Sequence, residues 1–395
     1  MNNTFAFAQE KEKKNKNLIS DVLEKAKNLT KSAMAEAAVT DFVESFPAET
    51  FKHITETKLH AAPLPEKFGG VGLGLENDTT LEMLRFLKYF GYGNQVVGRV
   101  YEGHFNALLL LKLFATEKQF QIYAADVVKN NKIFGVWNTE ASDGVKIFPA
   151  GKDKFRLEGF KIFATGVDYV ERPIVNGAMP DGGWQMCVVP MEKVKTNIDA
   201  SWWNPLGMKS TRSFRVDFTG VELTKDNLIG EPNDYYSEPY FSGGAIRFAA
   251  VQLGAAEAIF DETRKYLQKL NRTNDLFQQA RLGEMAIRVE SGNLWLEGAA
   301  RSFENYRQNP TPENSEKFLA YANMMRTAIE QICQDVMLLC ERSIGARGLN
   351  KPLHFERIIR DLTIYLRQPA PDAALAAAGK YVLDNEIHSN DLWGK

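Results

Sequence analysis

The residue types that most often hold metals or attack substrates are sparse in this chain and lie far apart. Its five histidines, His53, His60, His104, His354 and His388, are scattered, and none forms an HExxH pair. The three cysteines, Cys187, Cys333 and Cys340, include no CxxC. Cys333 and Cys340 are seven apart, a spacing that puts both thiols on one helical face and predicts two core residues. No zinc site is expected from these residues. The stretch Phe68-Gly-Gly-Val-Gly-Leu-Gly74 invites a dinucleotide reading. However, its glycines miss the GxGxxG spacing, and what precedes them is proline-rich rather than a Val/Ile strand. Two prolines and four glycines predict instead a long exposed connection between helices, over residues 61–74.

Charge and composition exclude further classes. The 48 Lys and Arg against 50 Asp and Glu leave a net charge of −2, which gives no basic field for nucleic acid. The basic run Lys11 to Lys16, with Glu12 inside it, reads as a solvated face. With 44% apolar and 25% charged residues the chain has ordinary globular usage, and 395 residues suggest two or three domains. The most apolar run, Ala107 to Ala115, is interrupted by Lys112 and is far shorter than the roughly 20 residues of a membrane span. No apolar stretch follows the first residues as a secretory signal would require. Few and odd-numbered cysteines fit a reducing compartment, so the expectation is a cytoplasmic protein with neither membrane nor nucleic-acid partners.

The elements that would position any site follow from periodicity. Leu18, Val22, Ala26 and Leu29 recur at helical spacing, as do Leu81, Leu84, Leu87 and Phe90, so residues 15–130 read as helices. From residue 134 to 233 glycines and prolines multiply. Alternation such as Phe214-Arg-Val-Asp-Phe218 predicts successive strands in an antiparallel sheet or barrel. From Phe241 to Asn309 proline is absent, and helical patterns continue through Met285, Val289, Ile329 and Ile332, broken at Pro310, Pro312 and Pro352. This predicts a bundle of four helices.

Several segments, in order, resemble the acyl-CoA dehydrogenase superfamily of flavoproteins over residues 15–385. Leu64-Pro-Glu-Lys-Phe-Gly-Gly-Val-Gly-Leu73 is similar to a structural segment between its N-terminal helices. Phe134-Gly-Val-Trp-Asn-Thr-Glu140 is similar to the strand that opens its central domain along the flavin. Leu157-Glu-Gly-Phe-Lys-Ile-Phe-Ala-Thr-Gly166 is similar to the strand whose aromatic residue and Thr flank the flavin. The resemblance implies an α+β multidomain fold: an N-terminal α domain (1–133), a central antiparallel β domain (134–235) and a C-terminal four-helix bundle (236–395). It implies FAD as cofactor and a homodimer or homotetramer. The cofactor-binding positions it carries over are Asn138, Thr139, Ser142, Phe163, Thr165, Gly345 and Gly348, with Arg247 as a substrate-binding residue near an acyl-CoA. Gly345-Ala-Arg-Gly348 matches the turn by which one subunit touches its neighbour's FAD, and it can equally stop a helix.

The sequence departs from that pattern where the chemistry belongs. Abstraction of a thioester α-proton needs a carboxylate as base. In the resemblance the base falls nine places after the Arg of Arg360-Asp361, at Pro369, and the alternative position before Arg247 is Ile246. The catalytic residue is therefore unassigned; Asp372 and Glu102 are the nearby carboxylates. The loop Ala141-Ser-Asp-Gly144 is several residues shorter than the family's pyrophosphate cradle, and the Arg-x-x-Phe-Gly contact is broken after Arg272. The leading expectation is an FAD-dependent oxidoreductase acting on CH–CH of an acyl thioester. The alternatives are a flavin-dependent monooxygenase or oxidase on a non-CoA substrate, and a catalytically inactive binding subunit. The monooxygenase branch lacks the carboxylate and matches the spacing from Arg360 through Leu375 to Gly379, although Gln368-Pro369 replaces its His-Asp.

Overall fold

The computed structural model describes residues 2–367 and 370–393, with side chains from residue 14 onward. Helices come first: α1 (Asn2–Val43), α2 (Ala48–Glu56), α3 (Thr80–Gly93), α4 (Gln95–Phe114) and α5 (Glu117–Asn130). Their starts are set by side chains that satisfy the free N–H groups of a first turn. Asn94 accepts from Val96 N, and Thr116 with Gln119 forms a capping box. The segment 61–74 differs from its expectation. It folds back on itself, with Gly72 N donating to Leu64 O at 2.8 Å and Leu73 N to Ala62 O at 3.1 Å, and it buries Leu64 and Leu73 completely. Its glycines and prolines do exclude a helix, but they build a packed turn rather than an exposed one.

The strands follow: β1 (Phe134–Trp137), β2 (Lys146–Pro149), β3 (Lys154–Glu158), β4 (Phe160–Ala164), β5 (Arg172–Ala178), β6 (Trp184–Val188), β7 (Asn197–Asp199), β8 (Phe214–Asp217), β9 (Val221–Thr224) and β10 (Leu228–Ile229). One sheet runs β10-β6-β5-β2-β3-β9, with β1 also on β5; the other is β4-β8-β7. Most pairings are antiparallel, but β5 pairs in parallel with both β1 and β2. The local alternation of the sequence could not reveal these two pairings, because β1 and β5 meet only after more than thirty intervening residues have folded.

Five helices close the chain: α6 (Ala245–Lys269), α7 (Leu276–Gln308), α8 (Pro312–Gly348), α9 (Phe355–Tyr365) and α10 (Pro371–Asp384). Asp275 caps α7, accepting from Phe277 N and Gln278 N, and Thr311 with Pro312 opens α8. Cys333 and Cys340 are buried, and Cys340 Sγ accepts from the Thr263 hydroxyl at 3.1 Å, which ties α8 to α6.

The core is continuous across all three groups of elements. His104 of α4 links the helices to the sheet. Its Nδ1 accepts from Phe134 N at 3.0 Å and its Nε2 meets His60 O at 2.8 Å. Burial holds this imidazole neutral, with its pKa near 3. No helix among the described residues is long and apolar enough to cross a membrane, and no three metal-type ligands converge among them.

Candidate active site

The ends of β1 and β4 bring five of the predicted residues into one region. Trp137 is buried and its indole N–H donates to Thr165 O at 2.9 Å, which locks the two strand ends together. Beyond it the chain turns outward through Asn138, Thr139 and the loop to Gly144. Asn138 is held twice: Lys161 Nζ donates to its carbonyl at 3.0 Å, and Asn176 Nδ2 donates to its Oδ1 at 3.2 Å. The amide oxygen of Asn138 is thus occupied, and its N–H pair is the group left to offer.

Lys161 also pairs with Glu140. Its side chain is fully buried, and burial pulls its pKa down against the raising effect of that carboxylate. Gly144 makes the arrangement possible, because a Cβ there would stand 2.2 Å from the Glu140 carboxyl carbon. Asp143 pairs with Arg215, whose guanidinium lies over the Phe160 ring at 3.6 Å. Thr139 and Ser142 are exposed on this anchored loop.

Phe163 sits where β4 slips register, between Lys161 and Ala164, and its backbone is left-handed at φ 53°. That conformation is uncommon for an aromatic residue and turns the ring outward. The ring is 46% exposed and makes edge contacts with Trp202 at 4.8 Å and Trp203 at 5.8 Å. Thr165 is buried beside it. A chain of hydroxyls runs from Thr165 to Ser213 at 2.9 Å, from Ser213 to Thr211 at 2.8 Å, and from Thr211 to Met208 O at 2.8 Å. The chain ends at the helical side, where Asp361 of α9 accepts from Met208 N at 2.5 Å. Burial raises Asp361 to about 6 in spite of Arg357, 3.4 Å away.

Together these features suit a planar ring with carbonyl edges. They supply an aromatic face, an amide donor fixed in orientation, and exposed or part-buried hydroxyls on neighbouring strands.

Arg247 lies on the helical side, buried on α6. Its Nε meets Glu102 at 3.2 Å and its Nη2 donates to Asn106 at 2.6 Å. Glu102 accepts also from Arg99 at 2.8 Å. The carboxylates considered as a relocated base are thus both engaged or exposed: Glu102 is clamped by two cations, and Asp372 is exposed in the first turn of α10. Pro369 and Gln368 lie outside the described residues.

Gly345 and Gly348 stand apart. Gly345 breaks α8 with φ 59°, and a Cβ there would meet nothing within 4 Å in this chain. Among the described residues no hydrogen bond joins this turn to the β1 and β4 ends. Arg272 is paired with Asp275, 2.9 Å away, at the start of α7.

Sequence reasoning passed over Asn176, Lys161, Trp202, Arg99 and Tyr365. The spacing of Arg99, Glu102 and Asn106 marks one face of α4 and was a usable signal. The others depend on which strands become neighbours.

Residues 246–367 match the acyl-CoA dehydrogenase C-terminal domain. The butyryl-CoA dehydrogenase structure of Megasphaera elsdenii superposes with a TM-score of 0.80 at 17% identity, covering 93% of this chain and 98% of that one. The chain thus carries an acyl-CoA dehydrogenase C-terminal domain over residues 246–367 and shares the fold of the butyryl-CoA dehydrogenase structure. The dibenzothiophene monooxygenase of Mycolicibacterium goodii is 22% identical, over 92% of this chain and 94% of its own. The structure of FMN-bound TdsC from Paenibacillus sp. A11-2 superposes with a TM-score of 0.85 at 18% identity, covering 95% of this chain and all of that one.

Proposed function

We propose that this protein is a flavin-dependent monooxygenase that uses FMN. The observation that carries the reading is the missing base. The position expected for it holds Pro369, and neither Glu102, paired with Arg99 and Arg247, nor the exposed Asp372 is a carboxylate free to take an α-proton. The similarity to monooxygenases supports an enzyme, and it supports the non-CoA reading over the acyl thioester dehydrogenase.

FMN in place of FAD accounts for three departures from the superfamily pattern. The pyrophosphate loop is cut to Ala141–Gly144, Arg272 is occupied by Asp275, and only residues 270–275 join α6 to α7. A mononucleotide has no adenosine half for these parts to hold.

Bound reduced flavin supplies the two electrons with which O2 gives one oxygen atom to the substrate and the other to water. The chain's own part is to bind and orient. Phe163 offers its ring face, Asn138 its fixed N–H pair, and Thr165 its hydroxyl, which Ser213 orients. Thr139 and Ser142 provide donors on the open loop. Trp137 and Trp203 close the strand ends, Trp203 donating its indole N–H to Lys209 O at 3.1 Å. Buried Trp137 keeps water from the strand ends behind these residues.

Fluorescence titration of the apoprotein with FMN and FAD tests the cofactor, and anaerobic addition of saturated acyl-CoA thioesters tests the reaction. FMN binding at least tenfold tighter than FAD, with a flavin band unmoved by thioesters, is expected. A preference for FAD and bleaching by a thioester would restore the dehydrogenase.

A further inference from the structure

The flavin residues leave a second polar group unexplained, on the facing helices. Glu102 of α4 lies between two guanidinium groups, accepting from Arg99 Nη1 at 2.8 Å and from Arg247 Nε at 3.2 Å. Asn106 takes Arg247 Nη2 at 2.6 Å. The side chains of Arg247 and Glu102 are each 7% exposed, and that of Arg99 is 26% exposed. Two cations and one anion leave a single positive charge in a largely buried place, where an unbalanced charge is unfavourable. Among the described residues no hydrogen bond engages Arg99 Nε, Arg99 Nη2 or Arg247 Nη1.

A second observation points the same way. The hydroxyl of Tyr365, at the end of α9, is buried and has no hydrogen-bond partner. Buried hydroxyls nearly always have one. The residue is firmly placed, because α9 is tied to both neighbouring helices: Gln252 Nε2 donates to Tyr365 O at 2.8 Å and Gln95 Nε2 to Ile358 O at 2.9 Å. The charged groups that act on the hydroxyl are Arg99, Glu102 and Arg247, and burial keeps it protonated as a donor. Tyr365 is also one helical turn beyond Asp361, which holds Met208 and, through Thr211 and Ser213, the hydroxyl of Thr165. The helix that carries Tyr365 thus also supports the hydroxyl chain that ends at Thr165.

We propose that Arg99, Arg247 and Tyr365 receive a compact organic oxyanion (a carboxylate, sulfinate or sulfonate), so that the substrate of the oxygenation carries one negative charge. The inference rests on the flavin-dependent reading above. Glu102 and Asn106 hold the two guanidinium groups and reduce their charge to the single one that a monoanion balances.

Calorimetric titration in the presence of FMN tests this with benzoate, benzenesulfinate and benzenesulfonate. The neutral controls are benzamide and methyl phenyl sulfone. At least one anion should bind tenfold or more tighter than its neutral counterpart, and the best anion names the oxyanion class. Tyr365→Phe removes only the unpartnered hydroxyl, so it should weaken that anion roughly tenfold while the melting temperature holds. Arg247→Met should abolish anion binding. Neutral compounds binding as tightly as the anions, no anion binding at all, or unchanged affinity in folded Tyr365→Phe would each overturn the proposal. FMN fluorescence on the same samples separates the two readings. A protein that binds the anion but no flavin keeps the oxyanion site and loses the flavin reading. One that binds flavin but no anion does the reverse.

Discussion

At the scale of single residues, the site is built from side chains whose partners fix what they can offer. Asn138 presents donors because Asn176 occupies its oxygen, and Phe163 presents a ring because its backbone is left-handed. Phe163→Ala removes the exposed face without opening the core, so FMN affinity should fall roughly tenfold, the scale of one lost aromatic stack, with little change in melting temperature. A fluorescence titration beside a thermal melt reads both. Lys161 behaves differently, because it is buried inside the fold. Lys161→Met leaves Glu140 and the Asn138 carbonyl without their donor, and should lower stability by about 1–3 kcal/mol in urea denaturation. The nearness of Thr165 and Phe163 at one strand end was legible from a short local motif. Their partners Ser213, Trp202 and Trp203 were not, because forty or so residues separate them in the chain and only the β4–β8 pairing brings them together.

At the scale of elements, the joints between helices and sheet carry most of the positioning. α4 is the clearest case: His104 accepts the first N–H of β1, while Arg99, Glu102 and Asn106 on the same helix form the polar cluster with Arg247 of α6. The helical period of α4 was readable from its leucines. Which of its polar residues were functional was not, since that depends on α6 lying across it. His104 gives this joint a pH dependence. The unfolded imidazole takes a proton below pH 6.5, whereas the folded one resists until about 3, so the stability His104 confers is lost as pH falls through that window. The slope is about 1.4 kcal/mol per pH unit. Asp361 acts in the opposite sense between 3.8 and about 6, because its folded form holds a proton that the unfolded form releases. The measurement is therefore a difference: urea stability from pH 6.5 to 5, wild type against His104→Phe, with the steeper loss on acidification expected in wild type.

At the scale of the whole molecule, the order of helices, strands and helices was visible in composition and periodicity, and the missing base was visible at two positions, Pro369 and Ile246. The sequence could not distinguish a lost function from a changed one. In the structure the carboxylates that could have replaced the base are tied to arginines or exposed, while the aromatic face and hydroxyls on the strand side are in place. If the proposed oxygenation holds, the organic oxyanion inferred from Arg99, Arg247 and Tyr365 narrows what is oxidised. The central claim is tested most directly by supplying the protein with reduced FMN, a panel of aromatic carboxylates, sulfinates and sulfonates and isotopically heavy O2, then weighing the products by mass spectrometry. One heavy oxygen atom in an organic product and one in water is the predicted result. Heavy oxygen recovered entirely as hydrogen peroxide across the panel, with no labelled organic product, would contradict it.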